Sequence, residues 1–264
     1  MKHKDRLDKL IFELGLADTR TKAQALIMAG KVRVNGQVIT KSGAMFEPSA
    51  NITVDNVPKW AGRGALKLLR AFDVFGLDVA GKACADFGAS TGGFTDVLLS
   101  KGARRVYAVD VGYGQLIWRL ASDPRVIVMD RTNARYLTRS DFPERVDFAG
   151  CDVSFISLRL ILPVLDDVVS GDAVVLIKPQ FEAGRDKISR GVIRDKAVHV
   201  EVIEEILSFI RENTRFIAEG LTYSPVRGQE GNIEFLCHIA HEGEGNNFSV
   251  HDIVDEAHEK TRGD

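Results

Sequence analysis

The chain has 264 residues, 45% hydrophobic and 27% charged, which is ordinary for a globular protein with a sizeable core and, at this length, suits one large domain with a small appendage as well as two equal halves. The longest stretch without a charge, Phe87 to Thr95, is nine residues against the ~20 that a membrane-crossing helix needs, so no membrane span is expected. Net charge is −2 but uneven, with ten Lys/Arg against six Asp/Glu in residues 1–60 and seven acids against two bases in residues 241–264, and a basic head on an acidic chain points to a polyanionic partner.

The opening Met-Lys-His-Lys-Asp-Arg leads into no uninterrupted apolar run, so it does not read as a secretory signal. Leu7, Leu10, Ile11 and Leu14 then fall at three- and four-residue spacing, which predicts an amphipathic helix interrupted by Gly15. Thr19 or Thr21 is a candidate cap for a second helix carrying Ala23, Ala25, Leu26, Ile27 and Ala29, closed by Gly30. Lys31 to Ile39 alternates with period two around Asn35-Gly36, a hairpin signature, because both central residues of a type I′ turn need φ > 0. Ile52 to Asp55 reads as another short strand. This order, with "Arg-Leu-Asp", "Thr-Arg-Thr-Lys-Ala-Gln-Ala-Leu-Ile" and "Gly-Lys-Val-Arg-Val-Asn-Gly", resembles the S4 RNA-binding domain over about residues 5–55. The resemblance implies contact with structured RNA through Arg6, Arg20, Lys22, Lys31 and Arg33, acting as a set because phosphate contacts sum.

Pro58-Lys59-Trp60 reads as a linker. Beyond it, strand-like runs at Ala83–Phe87, Arg105–Asp110, Val126–Met129, Val146–Cys151, Ala173–Ile177, Arg215–Leu221 and Glu234–His238 alternate with segments the length of crossover helices. That alternation predicts an α/β domain with a mostly parallel seven-stranded sheet and helices on both faces. The expected organisation is therefore a small α+β head at 1–58, the α/β domain at 59–240, and an acidic tail at 241–264 that opens as a linker and adds one short helix over Val250–His258. Cys84, Cys151 and Cys237 have no metal-ligand spacing, so neither a disulfide framework nor a structural zinc is expected, and the compartment implied is the reducing cytoplasm.

The first strand of the sheet ends Asp86-Phe-Gly88-Ala-Ser90-Thr91-Gly92-Gly93-Phe94. In open α/β sheets ligands bind beyond the carboxyl ends of the strands, and glycines there admit positive φ and close approach. The spacing matches neither Gly-x-Gly-x-x-Gly nor a P-loop. An acidic strand end followed by Gly-x-x-x-Gly-Gly is similar to the S-adenosylmethionine loop of Rossmann-like methyltransferases, which places Asp86 near the cofactor's amine. Asp110 ends the next strand, placed to accept from ribose hydroxyls, and Asp130, with Asn133, ends the third, bordering the adenine. The fourth strand ends Cys-Asp152-Val-Ser-Phe rather than in the Asn/Asp-Pro-Pro-Tyr of many amino-methylating enzymes, which argues against base N-methylation. Lys178 closes the fifth strand, where a lysine among apolar residues needs a partner or a function. Lys67 and Glu234, in "Arg-Gly-Ala-Leu-Lys-Leu" and "Gly-Asn-Ile-Glu-Phe", complete the candidates.

Taken in order, these motifs resemble the TlyA family of ribosomal RNA 2′-O-methyltransferases, whose members also carry the name hemolysin, over about residues 5–240. The catalytic part looks like the FtsJ-type ribose methyltransferases, whose Lys-Asp-Lys-Glu tetrad falls on Lys67, Asp152, Lys178 and Glu234. The resemblance implies S-adenosylmethionine as cofactor, ribosomal RNA or ribosomal subunits as partner, and no metal. A ribose hydroxyl must lose its proton as it attacks. A lysine whose basicity is lowered by burial and a like charge can take that proton or steady the alkoxide, while the two acids orient the lysines and oppose the shift. Which lysine is neutral depends on contacts the sequence does not display. Two alternatives are weighed: a non-catalytic RNA-binding protein, which the complete tetrad opposes, and a membrane-lysing protein, which lacks an apolar span or basic amphipathic helix. Among other residues, Trp60, Trp118 and His199 read as packing or surface positions. Phe94 and Phe155 suit core or base-stacking roles, and Lys187, Arg190 and Arg194 suit a basic rim.

Overall fold

A computed structural model describes residues 3–17, 19–55, 59–184 and 191–261. The head comprises β1 (Asp5–Arg6), α1 (Leu7–Glu13), α2 (Arg20–Met28), β2 (Val32–Val34), β3 (Gln37–Ile39), β4 (Met45–Phe46) and β5 (Ile52–Val54). Thr19 Oγ1 accepts from Lys22 N at 3.1 Å and so caps α2. Asn35 (φ 51°) and Gly36 (φ 84°) form the expected tight turn between β2 and β3. Leu7, Ile11, Ala23, Ile27, Val32 and Val34 close a separate small core. Phe12 stacks obliquely on Trp118 of the larger domain, ring centroids 6.1 Å apart.

The larger domain runs α3 (Ala65–Phe75), β6 (Ala83–Phe87), α4 (Gly93–Ser100), β7 (Arg105–Val109), α5 (Trp118–Ala121), β8 (Val126–Met129), β9 (Val146–Cys151), α6 (Leu162–Val168), β10 (Val169–Ile177), α7 (Pro179–Glu182), α8 (Lys196–Asn213), β11 (Ile217–Tyr223), β12 (Phe235–Ala240) and α9 (Val250–Lys260). The seven strands lie in the order β11-β12-β10-β9-β6-β7-β8. All pairings from β10 through β8 are parallel, whereas β12 runs antiparallel to both β10 and β11. Alternation along the strands sorts the two faces. Ala85, Phe87, Val109, Cys151, Val175 and Ile177 pack under α6, α8 and α9. Cys84, Val106, Phe148, Val174 and Leu236 pack under α3 and α4.

Two connections depart from the expected crossover helices. α5 is a four-residue helix, and between β8 and β9 the chain makes only 3-10 turns at Ala134–Tyr136 and Arg139–Asp141. Asn133 and Asp141 there turn their side chains back onto local backbone amides, of Arg135 and Thr138, which competes with helix propagation. The expected C-terminal helix is present, and Val254 and Ala257 enter the main core beneath β11 and α8.

Candidate active site

Parallel strands share a carboxyl-end rim, and Asp152 and Lys178 are the first residues past β9 and β10 on it. Because β12 is antiparallel to β10, with Phe235 opposite Ile177, Glu234 enters β12 at the same rim. Lys67, in the first turn of α3, reaches over it. The four side chains meet. Lys67 Nζ lies 2.7 Å from Glu234 Oε2 and 3.0 Å from Asp152 Oδ2, and Lys178 Nζ lies 2.6 Å from Asp152 Oδ1. Lys67, Lys178 and Glu234 are buried. Burial alone would push the Lys67 ammonium down, but Asp152 and Glu234 outweigh it and hold the group above its ordinary range.

Asp86, next to last in β6, lies at the same end of the sheet, fully buried. Its Oδ2 accepts from Thr95 N (2.8 Å) and Thr95 Oγ1 (2.7 Å), while Oδ1 is buried with no hydrogen-bond partner among the described residues. Burial pushes this carboxyl up to about 7. A buried carboxylate oxygen lacking a donor fits a ligand's cationic amine, so the residues present suit the amino-acid end of S-adenosylmethionine.

The glycine turn has two uses. Gly88 (φ 86°) and Gly93 line a cavity of about 320 Å³ with Asp86, Ser90, Thr91, Phe94 and the four clustered residues. Yet a Cβ at Gly88 would stand 2.8 Å from the Asp152 carbonyl oxygen, and one at Gly93 2.9 Å from Ala65 N. At Gly92 (φ 101°) the space is filled by Leu116 and Leu120. Besides lining the cavity, Gly88 and Gly93 let the turn touch the Asp152 loop and α3.

A second cavity of about 500 Å³, sharing Gly88, Ser90, Asp152 and Ser154 with the first, is lined by Asp110, Gln115, Thr132, Asn133 and Phe155. Asp110 binds the two turns together, its oxygens accepting from Ser90 N (2.8 Å) and Gly112 N (2.7 Å). Asp130 stands one step back, accepting from Gly114 N at 2.8 Å. Asn133 lines the cavity and caps the following 3-10 turn.

Several expectations change. Of the two roles open to Phe94, core packing is the one observed, its ring buried against Gly150 at the cavity's edge. Phe155 is 82% exposed, holds φ 62°, and leans on Phe181 with centroids 5.1 Å apart. His199, read as surface, is fully buried where α8 meets α9, its Nδ1 2.9 Å from His258 Nε2, and burial drops it to about 4. Trp118 packs on Phe12 and Trp60 on the domain core. Arg194 is exposed, and Lys187 and Arg190 lie outside the described residues. No group of three or more His, Cys, Asp or Glu that could hold a metal occurs among the described residues.

In the head, Arg6 and Arg20 converge on buried Asp8. Arg6 donates to it at 3.1 and 2.9 Å, Arg20 at 3.2 Å, and Gln24 at 2.6 Å. The Arg6 hydrogen bond, with those from Gln24 and Arg20, holds the Asp8 carboxyl far below its usual range. Lys22, Lys31 and Arg33 are exposed, Arg33 lying 3.8 Å from Asp55. Asp8, Thr95, Ser154 and Gln180 were not singled out from sequence. All four stand in motifs of the chain: Asp8 in "Arg-Leu-Asp", Thr95 in "Gly-Gly-Phe-Thr", Ser154 in "Cys-Asp-Val-Ser-Phe" and Gln180 in "Lys-Pro-Gln-Phe".

Residues 60–240 match the FtsJ-like methyltransferase family and residues 5–52 the S4 domain. The chain belongs to the TlyA family of FtsJ-like methyltransferases with an S4 head. It is 46% identical to YqxC of Bacillus subtilis, over 97% of this chain and 94% of that one. It is 43% identical to the 16S/23S rRNA (cytidine-2′-O)-methyltransferase TlyA of Mycobacterium tuberculosis, over 89% and 90%. A solved structure from Streptococcus thermophilus, which bears the name hemolysin, superposes with a TM-score of 0.74 at 42% identity, covering 98% of both chains.

Proposed function

We propose that this TlyA-family chain transfers a methyl group from S-adenosylmethionine to the 2′-oxygen of a ribose in ribosomal RNA, with cytidine, named in its relatives, as the target nucleoside. The observation that carries the reading is the convergence of Lys67, Asp152, Lys178 and Glu234 in one cavity with the orphaned oxygen of Asp86. We divide the chain into an RNA-binding head (1–58), the methyltransferase domain (59–240) and a C-terminal segment (241–264), working on ribosomal subunits in the cytoplasm. Among the described residues no helix is long and apolar enough to cross a membrane, and no observation favours the membrane-lysing alternative.

S-adenosylmethionine, when bound, supplies a methyl group on a sulfonium whose sulfur takes the carbon–sulfur electron pair. Asp86 would hold its amine, the turn Gly88, Ser90, Thr91, Gly92 and Gly93 its approach, Asp110 its ribose hydroxyls, and Asn133 its adenine end, with Asp130 keeping the Gly114 turn in place. With both lysines protonated the cluster of two ammonium and two carboxylate groups is neutral overall, and it returns to that state when Lys178 takes the hydroxyl proton. Lys67, clamped by two carboxylates, stays charged and organises Asp152 and Glu234. Lys178, which pairs with Asp152 alone, is assigned the proton of the 2′-hydroxyl, taken by its amine form. Holding the oxygen in line with the methyl carbon is worth up to ~7–11 kcal/mol in well-oriented systems. Arg6, Arg20, Lys22, Lys31 and Arg33 would dock phosphates, leaving the sheet rim to the target ribose.

The test measures transfer of labelled methyl from S-adenosylmethionine to purified ribosomal subunits by the wild type and Lys178→Ala, with mapping of the modified ribose. Loss of transfer in the variant is expected. Equal activity would remove the proposed chemistry, and absence of any wild-type transfer would remove the function.

A further inference from the structure

Among the described residues outside the tetrad, Ser154 is the side chain that hydrogen-bonds Lys178. Its Oγ accepts from Lys178 Nζ at 2.8 Å, and no acceptor for its own proton lies within hydrogen-bond distance among the described residues. Ser154 lines both cavities, the one holding the tetrad and the one running past Asp110 to Phe155, so it stands where donor and acceptor substrates must meet.

The loop that carries it is built rather than loose. At one end Asp152 N donates to the Phe87 carbonyl (2.9 Å), and Gly88 packs under the Asp152 carbonyl. At the other, buried Glu182 accepts from Ser157 Oγ (2.6 Å) and Leu158 N (2.7 Å). Between them Phe155 takes a left-handed φ of 62°, a conformation that is strained for a bulky residue and marks functional loops more often than chance. A hydroxyl is both donor and acceptor. With its acceptor side on Lys178, Ser154 has its donor side free.

We propose that Ser154 is a fifth, substrate-contacting member of the cluster, accepting from Lys178 and donating its own hydrogen to the ribose 2′-oxygen. The inference rests on the methyltransferase reading above. In the reaction the 2′-oxygen bonds to the methyl carbon, the carbon–sulfur pair passes to sulfur, and the hydroxyl proton passes to the amine of Lys178. The amine's remaining N–H groups stay on Asp152 and Ser154. The Ser154 hydrogen bond orients the oxygen's lone pair toward the methyl and is not itself transferred. Asp152, Lys67, Glu234 and Asp86 surround the site, with Arg63 and Arg227 at the cavity wall.

The test compares wild type with Ser154→Ala and Ser154→Thr on ribosomal RNA fragments carrying the mapped nucleotide as ribose or as 2′-deoxyribose. Ser154→Ala is expected to lower kcat roughly 10- to 100-fold, the loss of one hydrogen bond to a group gaining charge, with KM for S-adenosylmethionine within about threefold of wild type. Ser154→Thr restores most of the rate. Equilibrium binding, measured without turnover, supplies the second readout. The wild type prefers ribose over deoxyribose at the target, and Ser154→Ala loses that preference. Wild type active, with Ser154→Ala equal in rate and in ribose preference, overturns this inference alone. A wild type that methylates no ribosomal RNA overturns the functional reading first and this inference with it.

Discussion

Replacing Lys67 with Met removes an ammonium while keeping an unbranched side chain of similar length. Asp152 keeps Lys178 at 2.6 Å, but among the described residues the Glu234 carboxylate keeps only the 3.3 Å hydrogen bond from Gln180. With its side chain 3% exposed, Glu234 then becomes a buried carboxylate without a cation. Breaking a buried pair from one side costs about 3–5 kcal/mol, because the remaining charge stays desolvated. Lys67→Met is expected to lose about that much stability near pH 8, read from the guanidinium unfolding midpoint. Adding Glu234→Gln removes the stranded charge and should recover all but about 1–2 kcal/mol. Neither variant should transfer methyl. A single variant that unfolds with the wild type at pH 8, or a double variant whose losses simply add, would refute the electrostatic account.

Asp8→Asn raises the head's charge by one, so a Coulomb-only view expects tighter RNA binding. Loss of the Arg6–Asp8–Arg20 geometry predicts weaker binding and a salt slope shallower by about one to two contacts, measured by RNA titration at several salt concentrations. Asp86→Asn should weaken S-adenosylmethionine binding roughly 10- to 100-fold by calorimetry. Because burial holds the Asp86 acid at about 7, wild-type affinity should rise from about pH 6 to 8 as the carboxylate forms, and the variant's should stay flat. Burial depresses His199 from its ordinary 6.5 to about 4. The unfolded chain therefore binds a proton that the native fold refuses, and stability falls as pH drops from 6.5 toward 4. Unfolding curves of His199→Phe across that window should lose the part of the slope due to this ring, and an unchanged slope would sink the assignment.

The order of elements, the tight turn at Asn35-Gly36, the seven strands and the rim positions of Asp86, Asp110, Asp152 and Lys178 were legible from the chain alone, because periodicity and turn chemistry act over a few residues. The membership of Lys67 and Glu234 in the site was supplied by a family resemblance and not by any local pattern. They are 167 residues apart in sequence and 2.7 Å apart in space. Tertiary structure joined them, because β12 turns antiparallel beside β10 and brings its beginning to where the parallel strands end. The same physics explains the misreadings. His199 sits on a polar stretch, and its burial is decided by a helix that folds back 59 residues later. The burial of Asp8, likewise, follows only from Arg6, Arg20 and Gln24 closing over it. Burial and charge pairing are properties of surfaces brought together by packing, and no window of neighbouring residues contains them.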